Sequence, residues 1–263
     1  MTTNRNIQDF IQDKLKELLS SINEGFNDNE LAYLSVQTKN ELQIRDKIAW
    51  RLHNELIREY GQDTNYVVRR EWGFDYGQTD SKLSFHSKVD LAILELTDDK
   101  KDIKQVLALI EFKAQSIVRD EKWYIDEFVH DMEKMKAFTS VIDKRNNNKL
   151  CEHADLYFVF LETGQSELPD KYKPILGFAK YVSGTIFRKK NEKDFKDEIK
   201  KHFNKFKSGV KGRYYKKDHQ LELKNEKKLQ ISDSKAIGNT YGYKVYIASL
   251  LIGPYKGSDI TVK

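Results

Sequence analysis

Cysteine is all but missing from this 263-residue chain: Cys151 stands alone, so no disulfide can form within it and a disulfide-stapled scaffold is excluded. A single thiol suits a reducing compartment. Proline occurs three times and glycine thirteen, too few for a proline-rich linker or a collagen-like array, and no period of roughly 20 to 50 residues recurs. No apolar run approaches the roughly 18 residues of a membrane-spanning helix. The opening MTTNRNIQDF lacks the apolar stretch of a secretory signal, so the expected location is cytoplasmic, with no membrane partner. A phosphate loop is missing too. Gly238-Asn239-Thr240-Tyr241-Gly242 has neither the lysine nor the following hydroxyl of such a loop and reads as a turn, which leaves no nucleotide triphosphate site. Cys151 and His153 have a C-x-H spacing, but zinc wants about four ligands and no second cluster lies near in sequence.

Enough is present to build one good core. Hydrophobic residues make up 39% of the chain, with 14 Tyr and 14 Phe, while 33% are charged; the expectation is one polar-surfaced domain with an extension. Residues 6–21 place Ile7, Phe10, Ile11, Leu15, Leu18 and Leu19 at helical spacing, and the Asn-, Gly- and Asp-rich stretch 23–29 ends that helix. A long helix is predicted over 38–60, with Thr38 as N-cap, Glu41 at the capping-box position, Ile44, Ile48, Leu52 and Leu56 as its buried stripe and Gly61 after its end. Residues 66–74 read as a strand and 77–87 as a turn. A helix follows over 121–143, with Trp123, Phe128, Met132, Met135 and Phe138 inward, then a strand over 154–161. Beyond Glu162 the pattern is less regular: 174–182 is a short strand or helix, 220–223 has no clear assignment, and YGYKVYIASLLI over 241–252 is rich in strand formers.

The chemistry concentrates on two apolar strands, VDLAIL from Val89 and VLALIEFKAQ from Val106. Alternation puts Leu107, Leu109, Glu111 and Lys113 on one face and Ala108, Ile110 and Phe112 on the other. VLALI is apolar on both faces, the mark of a central, doubly covered strand, so the two charges that end it need partners. A carboxylate pair, Asp90 with Glu111, is a natural seat for a divalent cation beside a lysine. Plainer readings stand beside this one: Asp90 capping a strand or paired with Lys88, and Glu111 with Lys113 as an exposed edge pair worth under about 1 kcal/mol.

Charge is uneven along the chain. Between Arg188 and Lys217 stand thirteen Lys or Arg against four Asp or Glu, a local +9 in a chain of net +5, so the rest carries −4. Such a stretch attracts phosphate backbones, and GRYYKKDH from Gly212 adds two tyrosines able to stack on bases. Lys200, Lys201, Lys205, Lys211 and Arg213 are the candidate nucleic-acid contacts. The plainer reading is a solvated amphipathic helix over 194–206, with Phe195, Ile199, Phe203 and Phe206 on one face.

Asp90 followed by Glu111-Phe112-Lys113, both halves on apolar strands with long helices before and after, resembles the PD-(D/E)xK nuclease superfamily. Val89 stands where the motif's proline would. The resemblance covers roughly residues 39–182 and implies an α/β fold, a restriction-endonuclease-like mixed central sheet flanked by helices, with a basic C-terminal extension. The expected organisation is an N-terminal helical segment, 1–38, the nuclease core, 39–182, and the extension, 183–263, docked on the core.

In function the resemblance implies a Mg²⁺-dependent endodeoxyribonuclease, with Mn²⁺ able to substitute, serving restriction or another defence against foreign DNA and leaving 5′ phosphates. Asp90, Glu111 and the Phe112 carbonyl would hold metal, and Lys113 would orient or deprotonate the attacking water. A helix acid would assist: Glu41, for which NELQIRDKIAWRL resembles the opening helix of nuclease domains related to type I restriction subunits, with Glu55 as its rival and a simple helix cap as the plainer alternative. Asp131 and Lys134 match a D-x-x-K stretch found behind E-x-K strands, or are surface charges of an amphipathic helix. A sequence-specific enzyme would act as a homodimer. The alternatives are a repair or RNA nuclease, or a non-catalytic nucleic-acid-binding or assembly protein on the same scaffold.

Overall fold

The computed structural model describes residues 6–27, 29–35, 40–73, 77–78, 87–116, 121–143, 147–165, 193, 197, 210–214, 217–223, 229–231, 235–240 and 243–262. The first helix, α1 (Ile7–Ser20), starts where Asn6 accepts the Gln8 N–H at 3.0 Å, and it buries Phe10, Ile11, Leu15, Leu18 and Leu19. A short α2 (Glu30–Ser35) precedes α3 (Asn40–Tyr60). Thr38 lies outside the described residues. Gly61 ends α3 at φ 91°, its N–H donating to the Ile57 carbonyl at 2.8 Å.

The strands β1 (Tyr66–Trp72), β3 (Val89–Leu96) and β4 (Ile103–Ser116) form an antiparallel run, and after α4 (Glu121–Phe138) the chain returns as β6 (Asp155–Gln165), parallel to β4. This is a mixed sheet flanked by helices, continued beyond β6 by β11 (Tyr243–Tyr255) and then β10 (Lys235–Thr240), in the order β1-β3-β4-β6-β11-β10. The stretch read as a strand over 241–252 is β11 (Tyr243–Tyr255), inserted between β6 and β10 (Lys235–Thr240) as an integral strand of the sheet, with β9 (Leu229–Ile231) also on β11. A second sheet joins β7 (Val210–Tyr214), β8 (Lys217–Leu223) and β12 (Ile260–Val262). Residues 174–182 and the basic helix over 194–206 lie outside the described residues, apart from helical Asp197.

Two apolar layers sandwich the sheet. On one side Leu91, Ile110, Phe112 and Val159 meet α1 and α3; on the other Leu109, Phe158 and Phe160 meet Phe128 and Met132 of α4. The N-terminal helices therefore belong to the same core as the strands. Within the predicted alternating stretch of β4, strict alternation fails at Leu107. Ile93 pairs with Ala108 and Leu94 with Val106, so Leu107 is the extra residue of a bulge and turns to the α3 side with Ala108.

Two further expectations are corrected. The helix over 121–143 stops at Phe138: the amides of Thr139, Ser140 and Val141 each reach back only three residues, and the Thr139 hydroxyl donates to the Lys136 carbonyl at 2.7 Å, competing with the helical pattern. The two-residue β5 (Ile142–Asp143) then pairs with β2 (Gly77–Gln78), where the sequence suggested only a turn.

Candidate functional site

Leu91 with Ile110 is the last β3–β4 pair toward the C-terminal end of β4. Beyond it the amides along that edge of β4 need partners, and carboxylates supply them. The Phe112 N–H donates to Asp90 Oδ2 at 2.8 Å, and the Ala114 N–H donates to Glu41 Oε2 at 3.0 Å. Two residues of strand separate these amides by roughly 6.6 Å, so Asp90 and Glu41 sit side by side along one edge. A strand residue turns its N–H and C=O toward the same neighbour, which directs the Phe112 carbonyl to this edge as well.

Glu111 and Lys113 project from the same stretch toward α4. On that helix Glu127, Asp131 and Lys134 share one face by their spacing. Lys134 Nζ lies 2.5 Å from Glu111 Oε1 and 3.2 Å from Asp131 Oδ1. Lys113 Nζ lies 3.1 Å from Asp131 Oδ2 and 3.4 Å from Glu127 Oε2. Charges thus alternate in a chain, Glu111–Lys134–Asp131–Lys113–Glu127. The Glu111 and Asp131 side chains are each 3% exposed. The Lys134–Glu111 contact is the shortest in this chain of charges.

The two plainer pairings of the motif, Asp90 with Lys88 and Glu111 with Lys113, are therefore corrected. Asp90 binds Arg45, whose Nη1 donates to Asp90 Oδ1 at 3.1 Å, with the Phe112 amide on its other oxygen, in place of Lys88. Glu111 pairs across the layer with Lys134, in place of Lys113 beside it. Asp131 and Lys134 are not surface charges; they are turned into the interior against β4. Of the two helix acids, Glu41 is at the site, whereas Glu55 binds Lys14 of α1 at 2.9 Å and also Arg58.

Burial sets the electrostatics. It raises the Glu111 carboxyl well above the ordinary range; Asp131 and Asp90 add to the rise and Lys134 opposes it. It also raises Glu41, against the Ala114 amide and Lys113. For Lys113 burial acts downward, but Asp131, Glu41 and Glu111 more than offset it and hold the ammonium above the usual lysine value. Lys134 is likewise pulled down by burial and raised on balance by Glu111 and Asp131. The depressed pKa that would make Lys113 a base is thus absent from the protein by itself. His130 is lowered, first by burial. Cys151 is buried in the α4 layer, which pushes its thiol up.

Asp90, Glu111 and the Phe112 carbonyl are the oxygen donors that could hold a cation. Among the described residues no three acidic, imidazole or thiol groups converge tightly enough to do so by side chains alone, so such a site would need the carbonyl and water. Its chemistry fits a hard cation: the donors are all oxygen, and Glu41, Asp90, Glu111, Glu127 and Asp131 outnumber Arg45, Lys113 and Lys134 around it. Sequence reasoning missed Arg45 and Glu127. Arg45 follows Glu41 by one helical turn and is 4% exposed beside Ile44 and Ile48, a position where a lone cation implies a buried acid.

Lys200, Lys201 and Lys205 lie outside the described residues. Lys211 and Arg213 are on β7, in register with Gln220 and Asp218 of β8, and β7 packs against α4, the helix that carries Asp131 and Lys134. No helix among the described residues is long and apolar enough to cross a membrane. No protein-family model, no curated protein and no solved structure matches the chain.

Proposed function

We propose that this protein is a Mg²⁺-dependent endodeoxyribonuclease of the PD-(D/E)xK type, acting in restriction or another defence against foreign DNA. The observation that carries this reading is the gathering of Glu41, Asp90, the Phe112 carbonyl, Glu111 and Lys113 where β3 and β4 separate. Residues from a helix and two strands meet at one point of the sheet. The order α3, β1, β3, β4, α4, β6, with β6 parallel to β4, supports the restriction-endonuclease-like fold.

Asp90, Glu111 and the Phe112 carbonyl hold the metal in this reading. When bound, Mg²⁺, or Mn²⁺ in its place, neutralises charge on the scissile phosphate and acidifies a water. The residues of the chain do the rest. Lys113, held cationic by Asp131, donates to the attacking water or to a phosphate oxygen and offsets charge as it develops. Glu41 has one oxygen on the Ala114 amide and a carboxyl raised by burial, which suits it to take the water's proton. Attack at phosphorus breaks the bond to the 3′ oxygen, which leaves as an alkoxide and takes a proton from solvent water, and the phosphate stays on the 5′ end. The basic stretch beginning at Arg188, and β7 beside α4, supply attraction for the backbone. A homodimer would bring two such sites to both strands.

One observation favours the non-catalytic alternative: Asp90 and Glu111 already have basic partners in Arg45 and Lys134. Incubating plasmid DNA and, separately, RNA with the purified protein in Mg²⁺ or EDTA separates the readings. Metal-dependent DNA cleavage that Glu111→Gln abolishes is the expected result. RNA loss alone would make it a ribonuclease, and binding without cleavage would leave only the scaffold.

A further inference from the structure

The two basic partners at the proposed metal ligands differ in kind. Arg45 is fixed: its planar guanidinium spans Asp90 and Asp46, at 3.1 Å to an oxygen of each, and its side chain is 5% exposed. Lys134 reaches Glu111 at the end of a flexible four-carbon stem, through one ammonium–carboxylate contact at 2.5 Å. A second acceptor is already in reach, since Asp131 Oδ1 is 3.2 Å from the same Nζ. Lys113 stays on the other oxygen, Asp131 Oδ2.

We propose that Lys134 is the internal counter-ion of Glu111, standing where a divalent cation binds and yielding to it by swinging onto Asp131. The proposal rests on the reading of Glu111 as a metal ligand. Glu111 is 2% exposed, and a carboxylate buried that deeply is strongly unfavourable without a positive partner. The metal-free protein therefore needs Lys134 at Glu111, and the metal-loaded one does not. Release costs little rearrangement, because the ammonium keeps one of its two carboxylates and only side-chain torsions change. Metal affinity is then set partly by this internal competition, and Asp131 is the positioning residue that receives the lysine.

Mn²⁺ binding, followed by electron spin resonance of the free ion on the purified full chain, tests this without reference to cleavage. Lys134→Met should bind Mn²⁺ more tightly by roughly 5- to 150-fold, the ordinary range of coupling between two events at one site. It should also melt lower than wild type in EDTA and recover more of its melting temperature on adding Mn²⁺. Lys134→Arg, which can grip Glu111 with two parallel donors, should bind Mn²⁺ more weakly than wild type, and it keeps the test decisive if the methionine variant does not fold. Affinity unchanged in either variant, with binding lost in Glu111→Gln, would overturn the counter-ion role and leave the metal reading standing. Mn²⁺ binding that Glu111→Gln leaves intact would overturn both.

Discussion

The two faces of β4 are built on opposite plans. Toward α3 it presents Ala108, Ile110 and Phe112, all fully buried among aliphatic side chains, and charge appears only at the edge, through Glu41 and Arg45. Toward α4 the apolar Leu109 is followed by Glu111 and Lys113, and the helix answers each with a charge of its own. Hydrophobic burial explains the first face completely. It does not explain the second, since a buried network of alternating charges is often no more stable than an apolar core of the same volume. The α3 face holds the strand in place, and the α4 face holds a charge arrangement that stability alone does not require.

Disabling the ligands should break this contrast most completely. Asp90→Asn and Glu111→Gln are each expected to reduce Mg²⁺-dependent plasmid cleavage to background while DNA binding in EDTA persists or tightens, because a charge that repels phosphate is gone. Paired nicking and filter-binding assays on each variant check this. Retained cleavage in either one would separate the charged face from catalysis.

Lys113→Ala comes next. If the ammonium orients water or offsets developing charge, the single-turnover rate should fall by about 10²–10⁴, with Mn²⁺ affinity close to wild type. Arginine in its place should not rescue the rate, given its different fork geometry. A large loss of melting temperature with a near-normal rate per folded molecule would assign Lys113 to the buried network alone.

Stability offers a third comparison. Asp131 holds both Lys113 and Lys134, so Asp131→Ala leaves two largely buried cations each short of a carboxylate, at an expected cost of about 3 kcal/mol in urea unfolding. Removing Arg70, whose pair with Asp46 joins β1 to α3 with both side chains well exposed, should cost under about 1 kcal/mol. Equal costs would mean that the α4 network is as solvated as the surface.

Much of this contrast was legible in the sequence. Two strands apolar on both faces, and the helical spacing of Phe10, Ile11 and Leu15, are local patterns with one consistent solution. A charge at the end of such a strand has to be answered by something, and Glu111 could be read that way. What answered it could not. Asp131 and Lys134 stand three apart, the spacing of any exposed helical pair, and only the packing of α4 on β4 turns them inward. Arg45 meets Asp90 across 45 residues of chain, a contact set by helix docking. The Leu107 bulge likewise depends on the register of β3, and the insertion of β11 beside β6 on pairing between distant strands.

The smallest expected effect is in pH dependence, where burial should reverse a sign. Burial raises the Glu111 carboxyl above its ordinary 4.5, so above that value the native protein still holds a proton that the unfolded chain has released. Stability contributed by a raised carboxyl is fully present below 4.5 and is lost as pH climbs through the folded-state value. Glu17, on the exposed face of α1, shows the opposite case: the hydrogen bond from Lys14 lowers its carboxyl from 4.5, so its contribution is present above that value and is lost as pH falls. Urea unfolding of wild type, Glu111→Gln and Glu17→Gln from about pH 3 to about pH 8 therefore yields two difference curves of opposite slope, each no steeper than about 1.4 kcal/mol per pH unit for one proton. The advantage of wild type over Glu111→Gln should shrink as pH rises above 4.5, and its advantage over Glu17→Gln should shrink as pH falls below that point. If the Glu111→Gln difference instead grew with pH, Lys134 would outweigh burial, and Glu111 would be an ionised carboxylate held by its buried lysine.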